Sequence, residues 1–450
     1  MNLRDAGDEN HSPIPASPPT TTNSPAKPDA ASVAGNCWAP LKARLKRDKV
    51  TKLALSFLER YCDVHLKDFD VDEIDDHRRM RIGPQTVVNF GSDSFLGLDR
   101  DPGIQSAIRD ALPRWGTHNG ASRAFWSVAL CTEVEHRLAK WLGVPDTLIS
   151  TSVTLANVGL IPAIAGKGTL LVVDRLSHDS IQEGAKIAQA NGAILRELTP
   201  CTADALRTLV QYETNYTGLV VAVDGIYSMT GKIAPLVELE QATRELGGTL
   251  YVDDAHGTGV VGPRGRGAAQ QVLGSLDHIL MVGSLSKAFS CLGAFITCDT
   301  ELKRILKINS STFIFGGPVP PPYLAGVLAV CELLDSPAGE TLLDTLHRKI
   351  RRLIDGLRDL GFVVLGEAGA IVSVLIGDIE KTFFAGKYLF DRGFYVQSAT
   401  YPAVPITEGL LRIQVNANHY DEDIDRLLSV VADLRSQFTL PTTKFGAPVA

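Results

Sequence analysis

Apolar residues recur with two periods along the chain, and these periods predict where strands and helices lie. Segments such as DSIQEGAKIAQANG and LVELEQATRELGG have the spacing of amphipathic helices. Between them, short runs rich in β-branched residues predict strands at TVVNF (86–90), TLLVVD (169–174), LVVAVD (219–224), TLYVDD (249–254) and HILMVGS (278–284). This alternation predicts an α/β fold in which helices cover both faces of a mostly parallel sheet.

Changes in composition divide the chain into four predicted segments. Residues 1–38 are rich in Pro, Ala, Thr and Ser, which predicts a disordered tail. Residues 39–85 are predicted to be a helical segment, with an amphipathic helix over about 40–66. The strand and helix alternation over 86–320 predicts a large domain, and the helices and short strands over 321–440 predict a smaller α+β C-terminal domain.

Composition narrows the classes of partner. The 450 residues are 45% hydrophobic and 21% charged, as in globular proteins. The net charge of -7 argues against a protein that binds nucleic acid. No apolar run reaches the length of a membrane span, and the N-terminus lacks a secretory signal. Seven scattered cysteines without a Cys-x-x-Cys pair argue against a disulfide framework and a zinc site. These features predict a cytoplasmic protein that acts on small molecules.

Two polar segments follow apolar strands and carry candidate chemistry. Lys287 lies among small residues in MVGSLSKAFSCLGAF, where a planar ligand could approach the backbone and the amine could form an imine. A surface lysine in a loop is the alternative. Asp253 ends TLYVDD, and a buried carboxylate there could keep a pyridine nitrogen protonated, as in pyridoxal phosphate (PLP) sites. The alternatives are a helix cap or a metal site formed with Asp254 and His256.

Further residues suit the ring and the phosphate of the same cofactor. His178 follows a predicted strand and precedes a helix, so its imidazole could lie on a pyridine ring. The AGKGT segment lacks the first glycine of a P-loop, so nucleotide binding is not supported. A helix start and hydroxyl groups suited to a phosphate are supplied by Ser152, Val153, Thr154, Asn157, Ser284 and Ser286.

Several motifs in the same order resemble the α-oxoamine synthase family of PLP-dependent enzymes of fold type I. They run from NFGSDSFLGL through GASRAFW, RLSHDS, DGIYSMTGKIAPL, VDDAHGTGVVGPRGRG and SLSKAF to LLRIQVNANH, which is most of the chain after residue 88. The resemblance implies catalytic roles for Lys287 as the lysine bonded to PLP, Asp253 as the partner of the ring nitrogen and His178 as the stacking residue. It further implies ring contacts for His256 and Ser228, phosphate contacts for Val153, Thr154 and Ser284, and substrate contacts for Arg412 and Asp93.

Some positions depart from the pattern of that family. An aspartate stands at Asp93 where the family usually has asparagine, and Asp224 replaces a glutamate. The family usually has glycine and often an aromatic residue at Val153 and Thr154. Gly316 and Gly317 stand where Ser or Thr residues are usual, which puts in question a phosphate contact lent by a dimer partner.

The resemblance also implies an activity and partners. It implies a homodimer that condenses an amino acid with an acyl-CoA or acyl-carrier-protein thioester, with loss of carbon dioxide, to give an α-amino ketone. The 8-amino-7-oxononanoate synthase members fit best, and serine palmitoyltransferase-like or secondary-metabolite synthases with another acyl donor are the alternative. The same residues are also compatible with an aminotransferase or aldolase of the same fold, a non-catalytic partner subunit, or a binding protein without a cofactor. No metal is expected.

Overall fold

The computed structural model describes residues 38–61, 69–366 and 369–437. The chain forms two units, residues 1–60 and 61–450. The predicted tail over 1–38 lies outside the described residues except for Trp38. The predicted amphipathic helix is present as two helices, α1 (Ala39–Leu45) and α2 (Lys49–Tyr61).

The rest of the described chain alternates strands and helices and contains two short 3-10 turns. Its strands are β1 (Glu73–Ile74), β2 (Arg79–Ile82), β3 (Gln85–Asn89), β4 (Asp146–Ser150), β5 (Thr169–Asp174), β6 (Ile194–Leu198), β7 (Gly218–Asp224), β8 (Thr249–Asp253), β9 (Ile279–Ser284), β10 (Ala294–Cys298), β11 (Val364–Leu365), β12 (Ile371–Gly377), β13 (Phe394–Tyr395), β14 (Gln397–Ala399) and β15 (Gly409–Gln414). Its helices are α3 (Pro102–Trp115), α4 (Ala129–Leu142), α5 (Val153–Ile164), α6 (Asp179–Ala190), α7 (Ala203–Tyr212), α8 (Leu236–Glu245), α9 (Ala268–Leu273), α10 (Thr300–Asn309), α11 (Ser311–Phe315), α12 (Pro321–Leu334), α13 (Pro337–Asp359), α14 (Ile379–Phe390) and α15 (Asp421–Gln437).

A seven-stranded sheet is the centre of the second unit. Its strand order is β4-β10-β9-β8-β7-β5-β6. Strands β5 to β9 pair with one another in parallel, and β10 runs antiparallel to both β9 and β4. The prediction of a mostly parallel sheet is therefore confirmed.

Both faces of this sheet are buried, because successive side chains of each strand point to opposite faces. Val172 of β5 and Val221 of β7 belong to one apolar cluster together with α4 and α8 side chains. Their neighbours Leu171 and Val220 belong to a second cluster together with side chains of α5 and α6. Helices thus cover both faces, as the near-continuous apolar runs of the strands predict.

Two smaller sheets carry other parts of the chain. Strands β1, β2, β3 and β13 form one of them, so TVVNF is a strand outside the parallel sheet. The predicted helical segment 39–85 is wrong at residues 73–82, which form β1 and β2. The other small sheet, β11-β12-β15-β14, is antiparallel and places Gln397 opposite Arg412.

The predicted division at residue 320 stays a prediction. Strand β13, which belongs to the predicted C-terminal domain, pairs in parallel with β3, with Phe394 opposite Val88. The N-terminal strands of the second unit therefore join the C-terminal part through main-chain hydrogen bonds. Within the described ranges, no helix has both the length and the apolar character needed to cross a bilayer.

Candidate active site

The parallel strands bring their last residues to one edge of the sheet. Asp174, Asp224, Asp253 and Ser284 end β5, β7, β8 and β9, and Asp224 lies directly opposite Asp253 in register. The chain leaves β5 for β6 on one side and returns to β7 on the other, so this edge contains a reversal of strand order. Open α/β sheets bind ligands at such a reversal.

A cavity of about 220 Å³ opens at this edge. The structure brings together nine of the residues that the sequence identified for the cofactor, while Asn157, Ser228, Arg412 and Asp93 are not among the lining residues. The lining consists of Ser152, Val153, Thr154, His178, Asp224, Asp253, Ala255, His256, Ser284, Ser286 and Lys287.

The carboxylate of Asp253 is buried and fixed by two donors. Asn157 Nδ2 donates to Oδ2 at 2.7 Å, and the Ala255 backbone N–H donates to Oδ1 at 3.1 Å. Burial raises the pKa of Asp253. The expectation that Asn157 contacts the phosphate is wrong, because its amide is outside the cavity lining, and it also donates to Ser180 and accepts from the Tyr251 hydroxyl.

A second carboxylate lies beside the first. Asp224 Oδ1 accepts a hydrogen bond from the His178 backbone N–H at 3.0 Å, whereas buried Oδ2 has no partner among the described residues. Burial, and then the neighbouring charge of Asp253, raise the pKa of Asp224 well above its usual value. Two buried carboxyl groups, one of them with an unpartnered oxygen, favour a cationic group in the cavity.

His178 is held in one orientation by the start of α6. It is the N-cap residue of this helix, and its Nδ1 accepts from the Ser180 backbone N–H at 3.2 Å. The Ser180 hydroxyl lies 2.8 Å from the same nitrogen. The imidazole is therefore fixed beside the cavity, as a ring that packs on a flat heterocycle requires.

Lys287 lies in the loop after β9 and also lines the cavity. Its Nζ lies 2.8 Å from His256 Nε2 and 2.8 Å from Asp93 Oδ2. Burial, and then the nearby charge of Lys287, lower the pKa of His256 well below its usual value. His256 is therefore neutral at pH 7 and can accept a hydrogen bond from the lysine ammonium.

The start of α5 and two serines line the same cavity. Ser152 is the N-cap of α5, where its Oγ accepts from the Leu155 backbone N–H at 3.1 Å. Val153 and Thr154 are in the first turn, where backbone N–H groups have no partner within the helix. The Ser284 and Ser286 hydroxyls lie 3.2 Å apart in the same lining. This arrangement fits a phosphate group.

Arg412 lies on β15 with a side chain only 5% exposed. Its Nε donates to the Ser228 carbonyl at 2.6 Å, and Nη1 donates to Gln397 Oε1 at 2.7 Å. The Ser228 backbone thus positions Arg412, and the expected ring contact of the Ser228 hydroxyl stays a prediction. Sequence reasoning missed Gln397 and Gln414, although both lie on β-strands that flank or contain Arg412.

The proposed metal alternative does not match the observed geometry. Asp254 Oδ2 accepts from the Ala269 backbone N–H at 3.1 Å, so Asp254 faces α9 and not the cavity. In the part of the chain that the structure describes, no three His, Cys, Asp or Glu side chains form a group that could hold a metal ion. The residues present instead fit PLP, with carboxylates for a pyridinium, a helix start for a phosphate and an amine for an aldehyde.

Comparisons with known proteins agree with this geometry. The sequence model of the aminotransferase class I and II family matches residues 85–431. The chain is 35% identical over 347 residues to 8-amino-7-oxononanoate synthase of Geobacter sulfurreducens, which covers 77% of this chain and 88% of that protein. It is 33% identical over 354 residues to serine palmitoyltransferase of Caulobacter vibrioides, and this match covers 78% of this chain and 86% of that protein.

A solved structure shows the same fold. Serine palmitoyltransferase of S. paucimobilis, whose structure contains PLP, superposes with a TM-score of 0.79 at 25% identity and covers 87% of this chain and 99% of its own. The fold is therefore PLP-dependent fold type I, and the cofactor is PLP. The chain belongs to the aminotransferase class I and II family and, within it, to the α-oxoamine synthases.

Proposed function

We propose that this enzyme condenses an amino acid with an acyl thioester, with release of the thiol and carbon dioxide, to give an α-amino ketone. The observation that carries the proposal is the cavity in which Lys287, Asp253 and His178 converge, with the guanidinium of Arg412 joined to Lys287 through Asp93. When bound, PLP supplies an aldehyde carbon that reacts with amines and a cationic ring that withdraws electrons from the substrate α-carbon.

Lys287 has two tasks in this proposal. Its Nζ bonds the cofactor in the free enzyme and, once the amino acid has taken its place, removes the proton from the substrate α-carbon as a general base. Neutral His256, 2.8 Å away, accepts a hydrogen bond from Nζ and keeps it directed into the cavity. The same Nζ returns a proton to that carbon after carbon dioxide has left.

Asp253 and His178 hold the cofactor ring in the proposal. The carboxylate of Asp253, fixed by Asn157 and by the Ala255 backbone, holds the proton on the ring nitrogen. His178, fixed by Ser180, packs on one face of the ring and keeps water from it. Val153, Thr154 and Ser284 bind the phosphate, and Arg412 binds the amino-acid carboxylate through its guanidinium.

A substrate matrix tests the reaction. Glycine, L-alanine and L-serine are each combined with short, dicarboxylic and long-chain acyl-CoA thioesters and with acyl carrier protein thioesters, and thiol and carbon dioxide are both measured. We expect equal amounts of thiol and carbon dioxide for at least one pair. Amino-group transfer to a keto acid without thiol release would instead identify an aminotransferase.

The acyl donor is proposed to be that of 8-amino-7-oxononanoate synthase, a dicarboxylic acyl thioester, because several relatives of that name are 32–36% identical to the chain. A long-chain donor is the second candidate. It is favoured by the serine palmitoyltransferase relative and by the solved structures of that enzyme. Competition between the two donors in one reaction, with products separated by mass, distinguishes them.

We further propose that the enzyme is a cytoplasmic homodimer. Phe125 and Phe315 are each 86% exposed and lie on neighbouring segments, since the Ser122 hydroxyl donates to the Ile314 carbonyl. Exposed apolar side chains of this size favour an interface.

The cysteines Cys131, Cys201, Cys291, Cys298 and Cys331 are free and buried, which fits a reducing compartment. Light scattering and cell fractionation test the two proposals.

A further inference from the structure

The guanidinium of Arg412 already has a carboxylate partner from the chain itself. Arg412 Nη2 lies 3.1 Å from Asp93 Oδ1. The other two guanidinium nitrogens donate to the Ser228 carbonyl and to Gln397 Oε1. A substrate carboxylate that approaches Arg412 therefore finds the Asp93 carboxylate already in the position beside the guanidinium that it would occupy.

Asp93 is held in this position by further donors. Gln414 Nε2 donates to Oδ1 at 2.5 Å, and Lys287 Nζ, when it is not bonded to the cofactor, donates to Oδ2 at 2.8 Å. Burial favours the protonated form, but the charges of Arg412 and Lys287 hold the pKa of Asp93 well below its usual range. The side chain is therefore an anion at neutral pH.

The charges around Arg412 decide what this anion does to binding. With Asp93 in place, a bound substrate carboxylate would put two carboxylates against one guanidinium, and like charges at this separation oppose each other. An asparagine in the same position would have the same size without the charge. The cost arises only for ligands that carry a carboxylate, so it affects selectivity and not binding in general.

We propose that Asp93 is a specificity-determining residue that occupies Arg412 in place of the substrate carboxylate and must leave it before an amino acid can bind there. This inference rests on the proposed role of Arg412 in amino-acid binding. As a consequence, the enzyme gains little from a substrate carboxylate. A carboxylate-free amine of the same shape binds about as well as the amino acid.

Binding without an acyl donor tests the inference directly. PLP-loaded enzyme is titrated with L-alanine and L-alaninol, and with glycine and ethanolamine, while the cofactor absorbance is recorded. For the wild type we expect the dissociation constants within each pair to agree within about threefold. Asp93→Asn should bind L-alanine and glycine about tenfold or more tightly, with the two amino alcohols changed by less than about threefold.

A matched control separates this effect from the loss of any aspartate–arginine pair. Asp335 also contacts an arginine, Arg137, at 2.7 Å, and its side chain is as exposed as that of Asp93. Asp335 lies outside the cavity lining, so Asp335→Asn should leave all four dissociation constants unchanged.

Two results would overturn the inference. One is a wild type that binds L-alanine more than tenfold more tightly than L-alaninol, a result that needs no variant. The other is an Asp93→Asn enzyme whose affinity for both amino acids stays within twofold of the wild type. Failure of the proposed reaction has a different signature, namely no thiol release with any acyl donor, while these titrations would still give their own answer.

Discussion

At the scale of the residue, the site is built from ionisable groups that burial has shifted away from their usual protonation. Asp224 and Asp253 end two neighbouring strands, and burial raises the pKa of both. His256 is shifted in the opposite direction, because burial disfavours its cation. Such shifts gather where a protein binds a charged ligand or performs proton transfer.

The amine of Lys287 is expected to be indispensable. Lys287→Ala should remove the yellow colour of the PLP-loaded enzyme and reduce condensation by more than about a thousandfold, because both the bond to the cofactor and the general base are lost. Absorbance spectra and thiol release measure the two effects. Lys186→Ala, at an exposed lysine paired with Glu183, should change neither. Undiminished thiol release from the first variant would refute the role of Lys287.

Asp254 is expected to make stability depend on pH. Burial raises its pKa to about 8 in the folded chain, compared with 3.8 when unfolded. The folded form holds its proton more tightly, so the free energy of unfolding should fall as pH rises from about 4 to about 8. Urea unfolding with saturating PLP at pH 5, 6.5 and 8 should show a smaller fall for Asp254→Asn. An identical pH dependence in both proteins would contradict the expectation.

The motifs around Lys287, Asp253 and His178 were sufficient to predict that these residues meet. The order of the motifs and the residues at which the strands end can be read from the sequence. In a parallel sheet, the carboxyl ends of neighbouring strands lie close together, so residues at those ends meet. The role of Asn157 was not predictable in this way. Its side-chain amide contacts Ser180 of α6 and Asp253 of β8, and these contacts depend on how α5 packs on α6. Gln414 and Gln397 were missed for a similar reason, since polar residues in an alternating strand carry no local mark of function.

At the scale of the element, the close contact between α5 and α6 positions the cofactor-binding residues. Helix α5 carries Asn157 and the turn proposed to bind the phosphate, and His178 caps the start of α6. Gly184 of α6 permits the approach, since a Cβ there would lie 2.6 Å from the Asn157 carbonyl oxygen. A backbone atom cannot move away as a side chain can, so the two helices would have to separate.

A methyl group at Gly184 should therefore weaken cofactor binding as well as stability. Gly184→Ala is expected to lower the free energy of unfolding by about 1–3 kcal/mol through overcrowding. It should also raise the dissociation constant of PLP, because Asn157 no longer supports Asp253. Gly166→Ala is the control, since a Cβ there has no neighbour within 4 Å. Equal PLP affinity in both variants would show that the helix contact does not position the site.

Strands were predicted well where their sequences are continuous apolar runs and poorly elsewhere. Strands β5, β7, β8 and β9 have continuous apolar runs, and each was predicted within a residue of its observed bounds. Strands β4 and β6 carry polar residues in short segments, and β10 follows a glycine-containing turn, so none of them was recognised. TVVNF has the residue types of a buried strand, but those types do not specify which sheet it joins.

At the scale of the whole molecule, pairings between distant segments connect the parts of the second unit. A buried ion network joins α4, β4, α10 and the loop before α4. Glu135 contacts Arg123 at 2.8 Å and Lys303 at 2.9 Å, and Lys303 contacts Asp146 at 2.8 Å. Sequence patterns did not predict it, because charged residues on amphipathic helices usually face solvent.

Removal of the charge of Glu135 should destabilise the folded chain strongly. Glu135→Gln leaves Arg123 and Lys303 without a buried anion between them, at an expected cost of about 3–5 kcal/mol in the free energy of unfolding. Their charges lower the pKa of Glu135 although burial opposes this, so its stabilisation is present above pH 4.5 and is lost as pH falls. Urea unfolding at pH 7 and pH 4 should show a smaller difference between wild type and variant at pH 4.

An exposed pair provides the comparison for this prediction. Glu183 and Lys186 form an ion pair at 2.6 Å with side chains 50% and 62% exposed. Glu183→Gln should change the free energy of unfolding by less than about 1 kcal/mol. A similar loss in the two variants would mean that burial does not strengthen the network.

Asp224 Oδ2, which has no partner in the described part of the chain, matters to the enzyme before any substrate binds. Without PLP, no cationic ring lies beside the buried carboxyl groups of Asp224 and Asp253, whose raised pKa values favour the protonated form. The vitamin-derived cofactor then acts as a folding ligand, whose free concentration adds to stability by mass action. Starvation for vitamin B6 should consequently reduce the amount of this protein in a cell as well as its activity.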